Sequence, residues 1–127
     1  MQRRDINAAD APAPAGQYSQ AIEVTGAART LYLSGQVGVA ADGGVPADAE
    51  AQTAIAWRNL QAQLRAAGMS FDNVVKLLTI LPDLANIDEL RRIRAEIMGN
   101  CKPASTLIVG GLVSPEYKIE IEAIACA

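Results

Sequence analysis

Residues 102–125 read KPASTLIVGGLVSPEYKIEIEAIA, and the end of this stretch decides the fold. From Tyr117 onward the residues alternate strictly. Tyr117, Ile119, Ile121, Ala123 and Ala125 fall on one side, and Lys118, Glu120 and Glu122 on the other. A period of two with one apolar side is the pattern of a strand that buries one face. Earlier in the same stretch, after Pro103, residues 105–109 predict another strand, which the Gly110-Gly111 pair bends or ends.

Working outward, Pro12 and Pro14 in a run of alanines mark a lead-in. Residues 18–24 (YSQAIEV) then predict a first strand and residues 31–39 (LYLSGQVGV) a second, joined by a turn over residues 25–28 and expected to pair as a hairpin. The Asp42-Gly43-Gly44 turn ends the second strand. From Asp48 the period becomes helical: Trp57, Leu60, Leu64 and Ala67 form an apolar stripe, and Gly68 stands where a left-handed cap is wanted. Residues 74–81 (VVKLLTIL) predict a buried, central strand stopped by Pro82, which has no amide hydrogen for a ladder. Asn86 with Glu89 three positions on resembles a capping box opening a second helix, with Leu90, Ile93 or Arg94, and Ile97 inward and Gly99 at its end. Arg91, Arg92 and Arg94 are expected on the outer face, solvated and partnered by Glu89 and Glu96; an anion patch is the alternative. The order ββαβαββ implies an α+β two-layer fold, a mixed sheet with two helices on one face. The other face then has no cover, and self-association is the physical solution.

Composition bounds the function. A chain of 127 residues, 50% hydrophobic, suits one domain over residues 1–127. A net charge of -3 leaves no electrostatic footprint for nucleic acid, and no apolar run reaches the roughly 20 residues of a membrane span. The N-terminus (MQRRDINAADAPAPAG) has no apolar core of a secretory signal, so a cytoplasmic location is expected. Histidine is absent and the two cysteines, Cys101 and Cys126, fit neither a disulfide framework nor metal-ligand spacing, so free thiols, no metal and no cofactor are expected. Chemistry must come from carboxylates, hydroxyls, thiols, cations or backbone amides. Cys101 beside Lys102 has a reactive reading, a thiol of lowered pKa, and a plainer one as an inert, half-buried thiol.

Six segments together resemble the Rid family, small trimeric proteins that hydrolyse reactive enamines and imines. They are QYSQA (17–21), LSGQVG (33–38), AEAQTAIAWRNLQAQLRAAG (49–68), DNVVKLLTIL (72–81), KPAST (102–106) and IEIEAIA (119–125). The resemblance implies a chorismate-mutase-like fold and a homotrimer whose sheets form a central barrel, with small-molecule clefts between subunits. It implies that Glu120 positions the attacking water, that Tyr18 closes the cleft, and that Ser34 and Gly35 line it, together with Ser105, Thr106 and Leu107. Where such proteins carry an arginine that clamps the substrate carboxylate, this chain has Ser105.

A serine offers one neutral bond where a guanidinium offers two charge-assisted ones, so simple amino-acid-derived imines are expected to bind poorly. Lys102 cannot substitute, because three residues of extended chain span about 10 Å and an odd offset reverses the face. Each residue also has a plainer role: Glu120 on a solvated strand face, Tyr18 in interface packing, Ser34 within a bulge, Ser105 and Thr106 in cross-strand hydroxyl bonds. Three functions compete: an imine or enamine hydrolase, a trimer that binds a metabolite without converting it, and an RNA-cleaving protein. The acidic balance and lack of histidine argue against the last.

Overall fold

The structure, a computed structural model, describes residues 1–127. Its strands are β1 (Gln2–Ile6), β2 (Ala21–Thr25), β3 (Thr30–Val37), β4 (Val74–Leu81), β5 (Ala104–Val109) and β6 (Glu120–Cys126), with helices α1 (Ala49–Ala66) and α2 (Ile87–Met98). Four strands form one sheet in the order β3-β6-β4-β5; β6 runs antiparallel to both neighbours and β5 parallel to β4. Both helices pack on one face, giving the expected α+β arrangement.

The alternation in β6 acts as its pattern demands. Ile119, Ile121, Ala123 and Ala125 are buried toward the helices, while Glu120 and Glu122 look the other way. On β4, Leu77, Thr79 and Leu81 join the buried face and Lys76, Leu78 and Ile80 the open one. From α1, Trp57, Leu60 and Leu64 complete the core, with Trp57 edge-on to Phe71 at 5.7 Å between ring centres. Asp48 caps α1 by accepting from the Ala51 amide, and Gly68 takes the left-handed conformation (φ 69°) beyond its end. That conformation costs glycine nothing and other residues about 1 kcal/mol.

Three expectations change. The predicted hairpin between residues 18–24 and 31–39 does not form: β2 pairs with β1, an N-terminal strand that residues 2–6 did not announce, and β3 pairs with β6. The β1-β2 ribbon is held against the body by Arg3, whose guanidinium donates to the carbonyls of Val74 and Lys102. Tyr18 therefore lies in a bend before β2 rather than on a strand. Finally, Asn86 makes no side-chain cap; Asp83 accepts from the Ala85 amide and opens a short 3-10 turn that leads into α2.

Gln52, fully buried on α1, ties two connections to the helix. Its Nε2 donates to the carbonyls of Pro46 (2.7 Å) and Glu116 (2.8 Å), and its Oε1 accepts from the Lys118 amide (2.8 Å). Gly38 passes so close that an added Cβ would stand 2.7 Å from the Gln52 Cα, inside the helix backbone. Truncating Gln52, itself fully buried, orphans two carbonyls and an amide, each a loss of about 1 kcal/mol. Gln52→Ala is therefore expected to lower stability by about 3 kcal/mol, readable as a drop in urea midpoint with unchanged slope. An unshifted midpoint refutes it.

Candidate functional site

The residues singled out in sequence fall into two groups. The first sits on the open face of the sheet. Leu33 pairs with Ala123 and Gln36 with Ile121, so Ser34 and Gly35 both oppose Glu122 in a β-bulge. A bulge adds a residue to one strand and bends it there. Glycine at 35 lets Glu120 lie across the strand: a Cβ on Gly35 would stand 2.5 Å from the Glu120 Oε1 and 2.7 Å from its Cδ. Glu120 is half-buried, and the chain's four ion pairs, Arg3–Asp5, Arg4–Glu23, Arg92–Glu50 and Arg92–Glu96, leave it out. A half-buried carboxylate outside every ion pair has free oxygens that can hold a water and accept its proton.

The second group lines an open cleft of about 690 Å³ at the opposite edge of the sheet, between β5, α2 and the bend before β2. Tyr18, Ser105 and Leu107 line it together with Gln17, Arg91 and Arg94. Ser105 and Leu107 pair with Leu77 and Thr79 and so face the helix side, as their register requires. The bend is fixed by Ser19, whose hydroxyl donates to the Lys102 carbonyl (2.8 Å) and whose amide bonds the Pro103 carbonyl. The Tyr18 hydroxyl accepts from the Ala15 amide (3.3 Å). Thr106, one residue along β5, points to the open face and accepts from Lys76 Nζ (3.0 Å), so it does not line this cleft.

The sequence offers Arg94 two places, inward with Ile93 or outward with Arg91 and Arg92, and Arg94 takes the inward one. It is half-buried rather than solvated: Nη1 donates to the Ser105 hydroxyl (3.0 Å), Nη2 to the Gln17 carbonyl (2.8 Å), and Nε is buried without a partner. Burial lowers its pKa from the ordinary arginine value. The helical period held the signal, since a residue four beyond Leu90 lies about 40° from it around the axis, within the buried stripe. Arg92, by contrast, is exposed and bridges Glu50 of α1 (2.6 Å) and Glu96 (3.2 Å).

Glu120 and the Tyr18 cleft lie two strands apart, about 10 Å across the sheet, and on opposite faces. One protomer does not bring them together. Other candidates fall outside both groups. Lys102 borders a separate hollow with Arg3, Asp72 and Cys101. No three Cys, Asp or Glu side chains converge into a metal-ligand set. The Cys101 thiol is not activated: burial, and then its bond to Asp72 Oδ1 (3.1 Å), push its pKa up to about 11.

Comparison with known proteins matches residues 8–127 to the family model described as Endoribonuclease L-PSP. A 2-iminobutanoate/2-iminopropanoate deaminase of Mus musculus is 36% identical over 125 residues, covering 97% of this chain and 90% of that protein. A RutC family protein of Pyrococcus horikoshii is 36% identical over 118 residues, 91% of each chain. Among solved structures, the Rid family protein YyfB from Yersinia pestis superposes with a TM-score of 0.85 at 36% identity, covering 100% of both chains.

Two outcomes follow from this geometry. Gly35→Ala is expected to displace the Glu120 carboxylate while leaving the fold intact, so a crystal structure of the variant should show Glu120 moved off β3; an unmoved carboxylate contradicts the close approach. Alkylation of Cys101 by iodoacetamide in a Cys126→Ser background should be slow at pH 8 and rise only as pH approaches about 11. The thiolate is disfavoured in the folded state, so the thiol's contribution to stability is present below its unfolded pKa and lost as pH rises through about 11.

Proposed function

Because the chain belongs to the endoribonuclease L-PSP family, with relatives named Rid, RutC and imine deaminase, we propose that it is a homotrimeric hydrolase of small imines or enamines working in clefts between subunits. The observation that carries the reading is the half-buried Glu120 carboxylate laid over Gly35 with no partner of its own.

Imine hydrolysis needs a water aimed at an electrophilic carbon and a group that takes and returns protons. Glu120 accepts a proton as the water oxygen bonds to the C=N carbon and returns it to the imine nitrogen. It then takes the hydroxyl proton of the resulting carbinolamine and passes it to the nitrogen as the C–N bond breaks, releasing a carbonyl compound and ammonia. An enamine enters the same path after its carbon is protonated.

Association supplies what a single chain lacks. The open face carries Leu78, Ile80, Ile108 and Ile124, and Tyr32 and Ile108 are 76% and 45% exposed. β3 and β5 are the two edges of the four-stranded sheet; the outer side of β5 is bridged only at Ala104, by Ser19. Packing such sheets about a threefold axis buries that surface and can set the Glu120 group of one subunit against the Tyr18 cleft of the next. An RNA substrate fits poorly with a net charge of -3 and no histidine.

The expected mass in solution is three times the 13.3 kDa chain, and light scattering at micromolar concentration that reads one chain overturns the shared cleft. Ammonia release from a freshly generated non-carboxylate imine, beyond the spontaneous rate, is expected for the wild type. It should fall at least about a hundredfold in Glu120→Gln, the scale of a lost general base. Saturable binding without ammonia release assigns the trimer to ligand binding instead.

A further inference from the structure

Arg94 has chemistry that the fold does not use up. Its two Nη groups meet only neutral acceptors, the Ser105 hydroxyl and the Gln17 carbonyl, and its buried Nε–H meets none. None of the chain's four ion pairs includes it, so a half-buried cation stands without a counter-charge. A guanidinium remains charged at neutral pH, and taking that charge out of water without an anion is costly. A staple between α2, β5 and the bend at Gln17 would need hydrogen bonds but no charge. Arg91, one turn earlier on α2 and exposed, borders the same cleft, so two cations and no carboxylate line it.

We propose that Arg94 is the anion anchor of the Tyr18–Ser105 cleft and that its ligand carries a carboxylate. A planar fork matches a carboxylate in two parallel bonds, and the Ser105 hydroxyl, which accepts from Nη1 and keeps its own O–H, can donate a third. Tyr18 and Leu107 supply the wall for a short carbon chain. The substrate class is then a small 2-imino acid, which revises the expectation from Ser105 that such substrates bind poorly. The inference deepens the hydrolase reading and rests on the same cleft being the substrate site.

Pyruvate, the product of 2-iminopropanoate hydrolysis, is the probe, with pyruvamide as its neutral counterpart. Calorimetric titration of the wild type should show pyruvate binding at least about tenfold tighter than the amide, the scale of one charge-assisted pair. Arg94→Gln, checked for unchanged circular dichroism and mass, should lose pyruvate affinity by about tenfold or more, with Arg94→Lys between the two because it keeps the charge and loses the fork. Should Arg94→Gln fail to fold, the arginine Nε–H resonances of the wild type decide: one buried signal should shift as pyruvate saturates. Equal binding of pyruvate and pyruvamide, no pyruvate binding, or a folded Arg94→Gln that binds pyruvate like the wild type overturns the anchor. Pyruvate held through Arg94 with no ammonia released sinks the hydrolase reading and leaves the anchor standing. Ammonia release from 2-iminopropanoate indifferent to Arg94→Gln does the reverse.

Discussion

Hydrogen bonding of β6 on both sides holds this molecule together. The final strand lies between β3 and β4, so the two halves of the sheet have no contact until residues 120–126 are in place. Its inward residues, Ile121, Ala123 and Ala125, meet the side chains of α1 and β4, and its first residue is Glu120. Folding thus waits on pairings of long sequence separation, whose loop-closure entropy must be met before the contacts form. The carboxylate at the centre of the proposed chemistry is attached to the most constrained strand of the fold, which suits a group that must hold a water in one place.

The one-sided packing of the helices has a second consequence. It leaves Glu120 and the β3 bulge on one face and turns Ser105, Leu107 and Arg94 toward the other. Adjacent positions on β5 divide accordingly, with Ser105 in the cleft and Thr106 bonded to Lys76 on the open face. A site assembled from both groups needs two copies of the chain, each giving a different edge of its sheet. The bare apolar face and the divided site would both be served by the association proposed above.

Much of this was legible in residue order. The alternation of residues 117–125, the apolar stripe of α1 with its Gly68 cap, the bounds of β4 and the placement of Ser34 and Gly35 at a bulge all follow from local periods and backbone preferences. The hairpin reading of residues 18–39 failed because two adjacent strands with a short turn need not pair when each finds a partner elsewhere. β3 gains more by joining β6, where Leu33 is buried against the core. For Arg94 the sequence holds two signals, a charge that groups it with Arg91 and Arg92 and an angle from Leu90 that places it at the edge of the buried face. Charge type argued for solvent, and period argued for burial.

The amino-acid order settles both helices, the strands that enter the four-stranded sheet, which side of each is apolar, and that Glu120 falls on the polar side of the last one, since these depend on contacts within a turn or a period of two. Strand partnership, the separation of the two residue groups to opposite faces, and the placing of Arg94 against Ser105 came only with the folded chain. Those are contacts between residues 11 to about 90 positions apart, and nothing in a local pattern specifies which distant surface a side chain will meet.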